Sequence, residues 1–213
     1  MNKLRIFNVL WSSKNGGPSP DDDIRTEIFL SGCNKAISGE PCKGCFNYEL
    51  WDPDRYVAEV TPLEAFEKIE CFSPNKYITF VGGEPLDQVG PLAELCKLLK
   101  AKDYHIIVFT HFKLDTFQGI SEREELLKYI DILIDGEYDI KEHLPNKDID
   151  TAFNNSIGSG NQIVWDIHTW NNSQHAICAG FYARDIVDMH IKDNNELIFI
   201  YKDGGKQCHY YPA

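Results

Sequence analysis

The sequence predicts an α/β fold built on parallel strands, and three observations predict it. Apolar runs of strand length alternate with stretches of helical periodicity between Thr26 and Ile134. Hydrophobic residues make up 43% of the 213 residues, enough to bury a sizeable core without disulfide support. The seven cysteines are odd in number and unevenly spread, which does not suit a disulfide framework. The length fits a single domain, 1–213.

The elements follow in order. Asn15 to Asp23 is dense in Gly, Pro and Asp and reads as a loop. Thr26-Glu-Ile-Phe-Leu30 reads as a strand that delivers the chain to Ser31-Gly32-Cys33. Thr61-Pro62, with Glu64 three residues after Thr61, starts a helix that runs to about Cys71. Tyr77 to Val81 is a buried strand ending in Gly82-Gly83. Val89 to Lys102 repeats Leu and Ala at helical spacing, and His105 to Thr110 is the next strand. Glu122 to Tyr129 is helical, and Ile130 to Ile134 is again a strand. The alternation implies parallel strands with helical crossovers, which an incomplete barrel and a doubly wound sheet both satisfy. From about residue 165 the chain becomes β-rich, with Asp188–Lys192 and Glu196–Tyr201 forming a hairpin and Asp203-Gly-Gly205 a further turn.

Charge narrows the function. A formal net charge of −12 argues against a nucleic-acid binder or an anionic membrane surface as partner. Residues 1–11 carry Lys3 and Arg5 but no long apolar run, so no signal peptide is read there. No stretch has the roughly 18 apolar residues of a membrane span. These readings place the protein in the cytoplasm.

Cys33, Cys42 and Cys45 are crowded into a C-x8-C-x2-C pattern, whereas Cys71, Cys96, Cys178 and Cys208 are dispersed. Structural zinc normally takes four Cys or His ligands, and the nearest later histidine is His105. A Cys42–Cys45 redox pair would leave Cys33 without a role. An iron–sulfur cluster normally takes four cysteines, so three would leave one iron open for a ligand. The spacing alone leaves zinc and iron both standing. Asp21–Asp23 reads as a solvated acidic loop, and Cys178 and Cys208 with His175, His190 and His209 as scattered residues of the tail.

The surroundings carry a resemblance. Leu30-Ser-Gly-Cys33, Pro41-Cys42-Lys-Gly-Cys45-Phe46-Asn47 and Trp51-Asp52 resemble the cluster loop of radical S-adenosylmethionine (SAM) activases. The nearest match is the anaerobic ribonucleotide reductase activating protein family. Phe80-Val-Gly-Gly-Glu-Pro85 is similar to that family's Gly-Gly-Glu-Pro segment, and Val108-Phe-Thr110 to its strand ending in Thr. Asp131 to Gly136 and Gly158-Ser-Gly-Asn-Gln162 resemble two further segments, in the same order.

The resemblance implies an incomplete parallel barrel with a C-terminal hairpin. It implies a [4Fe–4S] cluster on Cys33, Cys42 and Cys45, with SAM chelating the open iron and cleaved by one electron to a 5′-deoxyadenosyl radical. Gly44, Phe46, Asn47, Gly82, Gly83, Glu84 and Thr110 are the implied cofactor-binding residues. For Gly82-Gly83 the expectation is that missing β-carbons let backbone approach the methionine end of SAM. The implied partners are a glycyl-radical enzyme and an external one-electron donor such as flavodoxin or ferredoxin. The alternatives are a radical SAM enzyme acting on a peptide or small molecule, and a zinc-stabilised interaction module. The chain departs from the family in the residues Asn34 to Pro41 between its first two cysteines, in His111-Phe112 where Gly-Tyr is usual, and before Arg25. The insertion is expected to line the opening to the site.

Overall fold

The computed structural model describes residues 3–13, 17, 24–143 and 158–167, and the backbone of three strands at 186–191, 196–201 and 206–210. Seven strands form one sheet: β1 (Leu4–Ser13), β2 (Arg25–Leu30), β3 (Ala58–Val60), β4 (Tyr77–Gly82), β5 (His105–Phe109), β6 (Ile132–Asp135) and β7 (Ile163–Asp166). Their order is β3-β1-β2-β4-β5-β6-β7. The middle, β2-β4-β5-β6, is parallel, as the alternation requires. Antiparallel strands flank it, with β1 on β2, β3 on β1 and β7 on β6. The fold is therefore a mixed α/β sheet.

Helices α2 (Pro62–Phe72), α3 (Val89–Lys100) and α4 (Ser121–Leu127) connect the parallel strands. Thr61 caps α2 in a full capping box with Glu64, and Pro62 opens the helix. Alternate strand residues face opposite sides. Ile78, Phe80, Ile106, Val108 and Leu133 pack with Leu92, Leu95 and Leu99 of α3 and Ile69 of α2 in the main core. Ile107, Ile132, Ile134 and Val164 form a smaller cluster. At the other end of the strands from the cysteines, buried Arg25 ties β2 to its neighbours through Ile78 O (2.6 Å), Thr79 Oγ1 (2.8 Å) and His105 O (3.0 Å).

Boundaries moved slightly. The fourth helix runs from Ser121 to Leu127 rather than Glu122 to Tyr129, and β6 begins at Ile132, after Asp131. Strands β8 (Ile186–Ile191) and β9 (Glu196–Tyr201) pair antiparallel, as the hairpin reading requires. A third strand, β10 (Lys206–Tyr210), extends that sheet beside β9, where sequence reading gave only a turn. The connecting turns, the Asn15–Asp23 loop apart from Gly17, and Cys178 with His175 lie outside the described residues. Among the described residues no helix is long and apolar enough to cross a membrane.

Candidate functional site

The carboxyl ends of β2, β4, β5 and β6 deliver the chain to one region, where ligands of parallel α/β sheets gather. From Leu30 the chain turns through Ser31 and Gly32 to Cys33, with Gly32 N–H donating to Leu50 O (2.8 Å) and Cys33 N–H to Trp51 O (3.0 Å). Cys33 is buried and caps α1 (Asn34–Ile37), a four-residue helix inside the insertion. Cys45 N–H donates to Cys42 O at 3.1 Å, closing the Cys42-Lys43-Gly44-Cys45 turn. Both of its cysteines are partly exposed.

A segment that sequence reading left without a role holds this turn. Ile140 N–H donates to Lys43 O (2.9 Å), Lys43 pairs with Asp139 (3.5 Å) and Phe46 packs edge-on against Tyr138. Gly44 has φ +75, and a β-carbon there would lie 2.6 Å from Ile140 Cβ. Only glycine satisfies both the turn and this contact. Gly158-Ser-Gly-Asn-Gln162 buttresses the segment from behind. Gln162 Nε2 donates to Gly136 O (3.1 Å), Asn161 Nδ2 donates to Glu137 O (2.6 Å), and Gln162 Oε1 accepts from Gly158 N–H (2.8 Å).

The end of β4 meets the cysteine loop backbone to backbone. Asn47 Nδ2 donates to Gly82 O (3.1 Å), Gly83 N–H to Leu30 O (2.9 Å) and Glu84 N–H to Gly32 O (2.7 Å). A β-carbon on Gly82 would lie 2.3 Å from Leu30 O, and one on Gly83 2.2 Å from Gly32 O. The missing β-carbons thus make room for the protein's own cysteine loop.

Glu84 is 1% exposed and accepts three hydrogen bonds, from Leu86 N–H (2.8 Å), Thr110 Oγ1 (2.8 Å) and His111 N–H (2.9 Å). His111 Nδ1 also lies 2.6 Å from its Oε2. Thr110 Oγ1 also accepts from Phe112 N–H at 3.1 Å. These bonds lock the end of β5 to the turn after β4.

A cleft of about 850 Å³ opens between these loops, within the usual range for small-molecule sites. Asn34, Lys35, Asp87, His111, Glu137 and Tyr138 are among its lining residues. The insertion thus forms part of its wall, as expected. It is anchored on both sides: Asn34 N–H donates to Asp87 Oδ2 (2.6 Å), and Lys35 pairs with Glu137 (3.0 Å). Phe46 and Asn47 border a smaller groove of about 210 Å³ with Phe7 and Tyr48.

Burial disfavours the thiolate form of two of the three cysteines. Burial pushes the Cys33 thiol up to about 11 and raises that of Cys42, against the opposing backbone N–H groups of Ala36 and Tyr138. Among the described residues no three Cys, His, Asp or Glu side chains gather at single-ion spacing. Soft thiolate donors beside an open cleft fit an iron–sulfur cluster with a free coordination position. His111 and the Glu137–Ile140 segment were the residues that sequence reasoning missed. For His111 the signal was present, as a departure from the family pattern.

Comparison with known proteins bears on the same region. A family model described as a 4Fe-4S single cluster domain matches residues 21–164. The anaerobic ribonucleoside-triphosphate reductase-activating protein of Enterobacteria phage T4 is 26% identical over 148 residues, covering 66% of this chain and 83% of that protein. Its namesake from Haemophilus influenzae is 31% identical over 124 residues, covering 55% and 76%. The pyruvate formate-lyase-activating enzyme of Clostridium pasteurianum is 31% identical over 134 residues, 61% of this chain and 52% of that enzyme.

Proposed function

The chain belongs to the family of 4Fe-4S single cluster domains, and from that premise we propose that it is a radical SAM enzyme that installs a glycyl radical on a partner enzyme. The observation that carries this reading is the placement of Cys33, Cys42 and Cys45 on one loop, docked at the ends of the parallel strands beside a cleft of about 850 Å³. Cys33, Cys42 and Cys45 would hold the cluster. Bound there, the cluster would pass one electron to SAM and cleave it to methionine and a 5′-deoxyadenosyl radical.

The chain's own residues position and shield. Gly44 and Phe46 seat the cysteine turn on Ile140 and Tyr138. Asn47, Gly82 and Gly83 fix the loop against β4, and Glu84 with Thr110 ties the end of β5 to the turn after β4. The sheet serves as an incomplete barrel within one domain, 1–213, carrying a β-rich tail. The electron comes from an external donor such as flavodoxin or ferredoxin. The relatives named as activating proteins support an anaerobic ribonucleoside-triphosphate reductase as the class of partner. A second reading, action on a peptide or small molecule, is favoured by one observation: the insertion lines the cleft.

The test is to incubate the reconstituted protein anaerobically with reductant, SAM and an anaerobic ribonucleoside-triphosphate reductase. The expected result is the glycyl-radical doublet in the electron paramagnetic resonance spectrum of the reductase. SAM cleavage without that doublet would overturn the partner and move the assignment to the second reading.

A further inference from the structure

His111 stands one residue beyond Thr110, at the mouth of β5, where the resemblance leads one to expect glycine. Its Nδ1 lies 2.6 Å from Glu84 Oε2, and its ring packs on Phe112 with centroids 4.1 Å apart. Nδ1 thus sits at ion-pair distance from a buried carboxylate, and the opposite nitrogen, Nε2, lies on the far side of the ring from that contact. The side chain is 13% exposed and lines the large cleft. Among the described residues nothing hydrogen-bonds Nε2, and it is not among the buried polar atoms left unsatisfied. It is a polar atom of a residue that lines a ligand-sized cleft, on a ring packed against Phe112 and close to a buried carboxylate.

Its distance from the cysteines along the hydrogen-bond network is short. Glu84 N–H donates to Gly32 O, one residue before Cys33, and neighbouring Asp87 holds the N–H of Asn34, one residue after it. A molecule held at the cluster and extending into the cleft would pass His111. An imidazole nitrogen accepts or donates according to whether it carries the proton. A hydroxyl can answer either state, whereas a carboxylate can answer only one. We propose, resting on the radical SAM reading above, that His111 is a binding residue whose Nε2 hydrogen-bonds a ribose hydroxyl of SAM.

The test separates the two nitrogens. His111→Asn keeps an amide near the Nδ1 position, and with it the tie to Glu84, but removes the group facing the cleft. His111→Gln places an amide near Nε2. SAM binding is measured by calorimetry on the anaerobically reconstituted protein, with iron content and thermal midpoint as controls. One hydrogen bond lost corresponds to about a tenfold change in affinity. The expected result is SAM binding about tenfold weaker in His111→Asn and close to wild type in His111→Gln, with iron content unchanged in both. L-Methionine, which has no ribose, should bind His111→Asn and wild type alike. SAM affinity unaltered in His111→Asn, or equal losses in the two variants, would overturn the proposal. So would an equal loss with L-methionine. A wild-type protein that holds iron yet binds no SAM would overturn the cofactor reading itself, a result distinct from any of these.

Discussion

At the residue scale the site depends on backbone contacts that tolerate no side chain. Gly83 sits where a β-carbon would lie 2.2 Å from Gly32 O and 2.7 Å from Leu50 O. Gly83→Val is therefore expected to displace the turn into Cys33 and to lower iron content along with SAM binding, measured by iron analysis after reconstitution. A variant that keeps full iron and loses only SAM would show that the glycine faces the ligand. Gly44→Ala is expected to destabilise the chain by about 1 kcal/mol or more, from the left-handed backbone and the crowding against Ile140 together. Adding Ile140→Ala should recover only the crowding part in urea denaturation. Cys33→Ala, Cys42→Ala and Cys45→Ala should each lose the cluster, while Cys71→Ala, on the exposed side of α2, should keep it. Loss of iron in Cys71→Ala would contradict that ligand set.

At the element scale, legibility followed locality. Helix α2 could be read from Thr61, Pro62 and Glu64 because its start is fixed by neighbours in sequence. Thr61→Ala should cost about 1 kcal/mol in thermal or urea unfolding and leave iron content alone. The central strands were legible because each is a short buried run between turn signals. Strands β3 and β7 have only three and four residues, too few for a period to show. The role of Glu137–Ile140 was not legible, because its contacts reach nearly a hundred residues back to Lys35, Lys43 and Gly44. The insertion showed itself as extra residues, but its two anchors, Asp87 and Glu137, emerge only in three dimensions. Shortening Asn34–Pro41 removes both anchors and part of the cleft wall. The shortened protein should keep its cluster and its uncoupled SAM cleavage, but turn over its partner more slowly. An unmodified rate with the partner would make the insertion a surface excursion.

At the scale of the whole molecule, a parallel centre with antiparallel flanks brings four strand ends together and sets one cysteine loop across them. The family match spans the parallel centre and the cysteine loop, from before β2 to within β7. The central claim is that three cysteines hold a [4Fe–4S] cluster which cleaves SAM. The most direct measurement is 5′-deoxyadenosine, quantified after anaerobic reconstitution with iron and sulfide, reduction and addition of SAM. The wild-type protein is expected to form it and Cys42→Ala to form none. Stoichiometric zinc in place of iron, with no 5′-deoxyadenosine from the reduced wild-type protein, would contradict the claim.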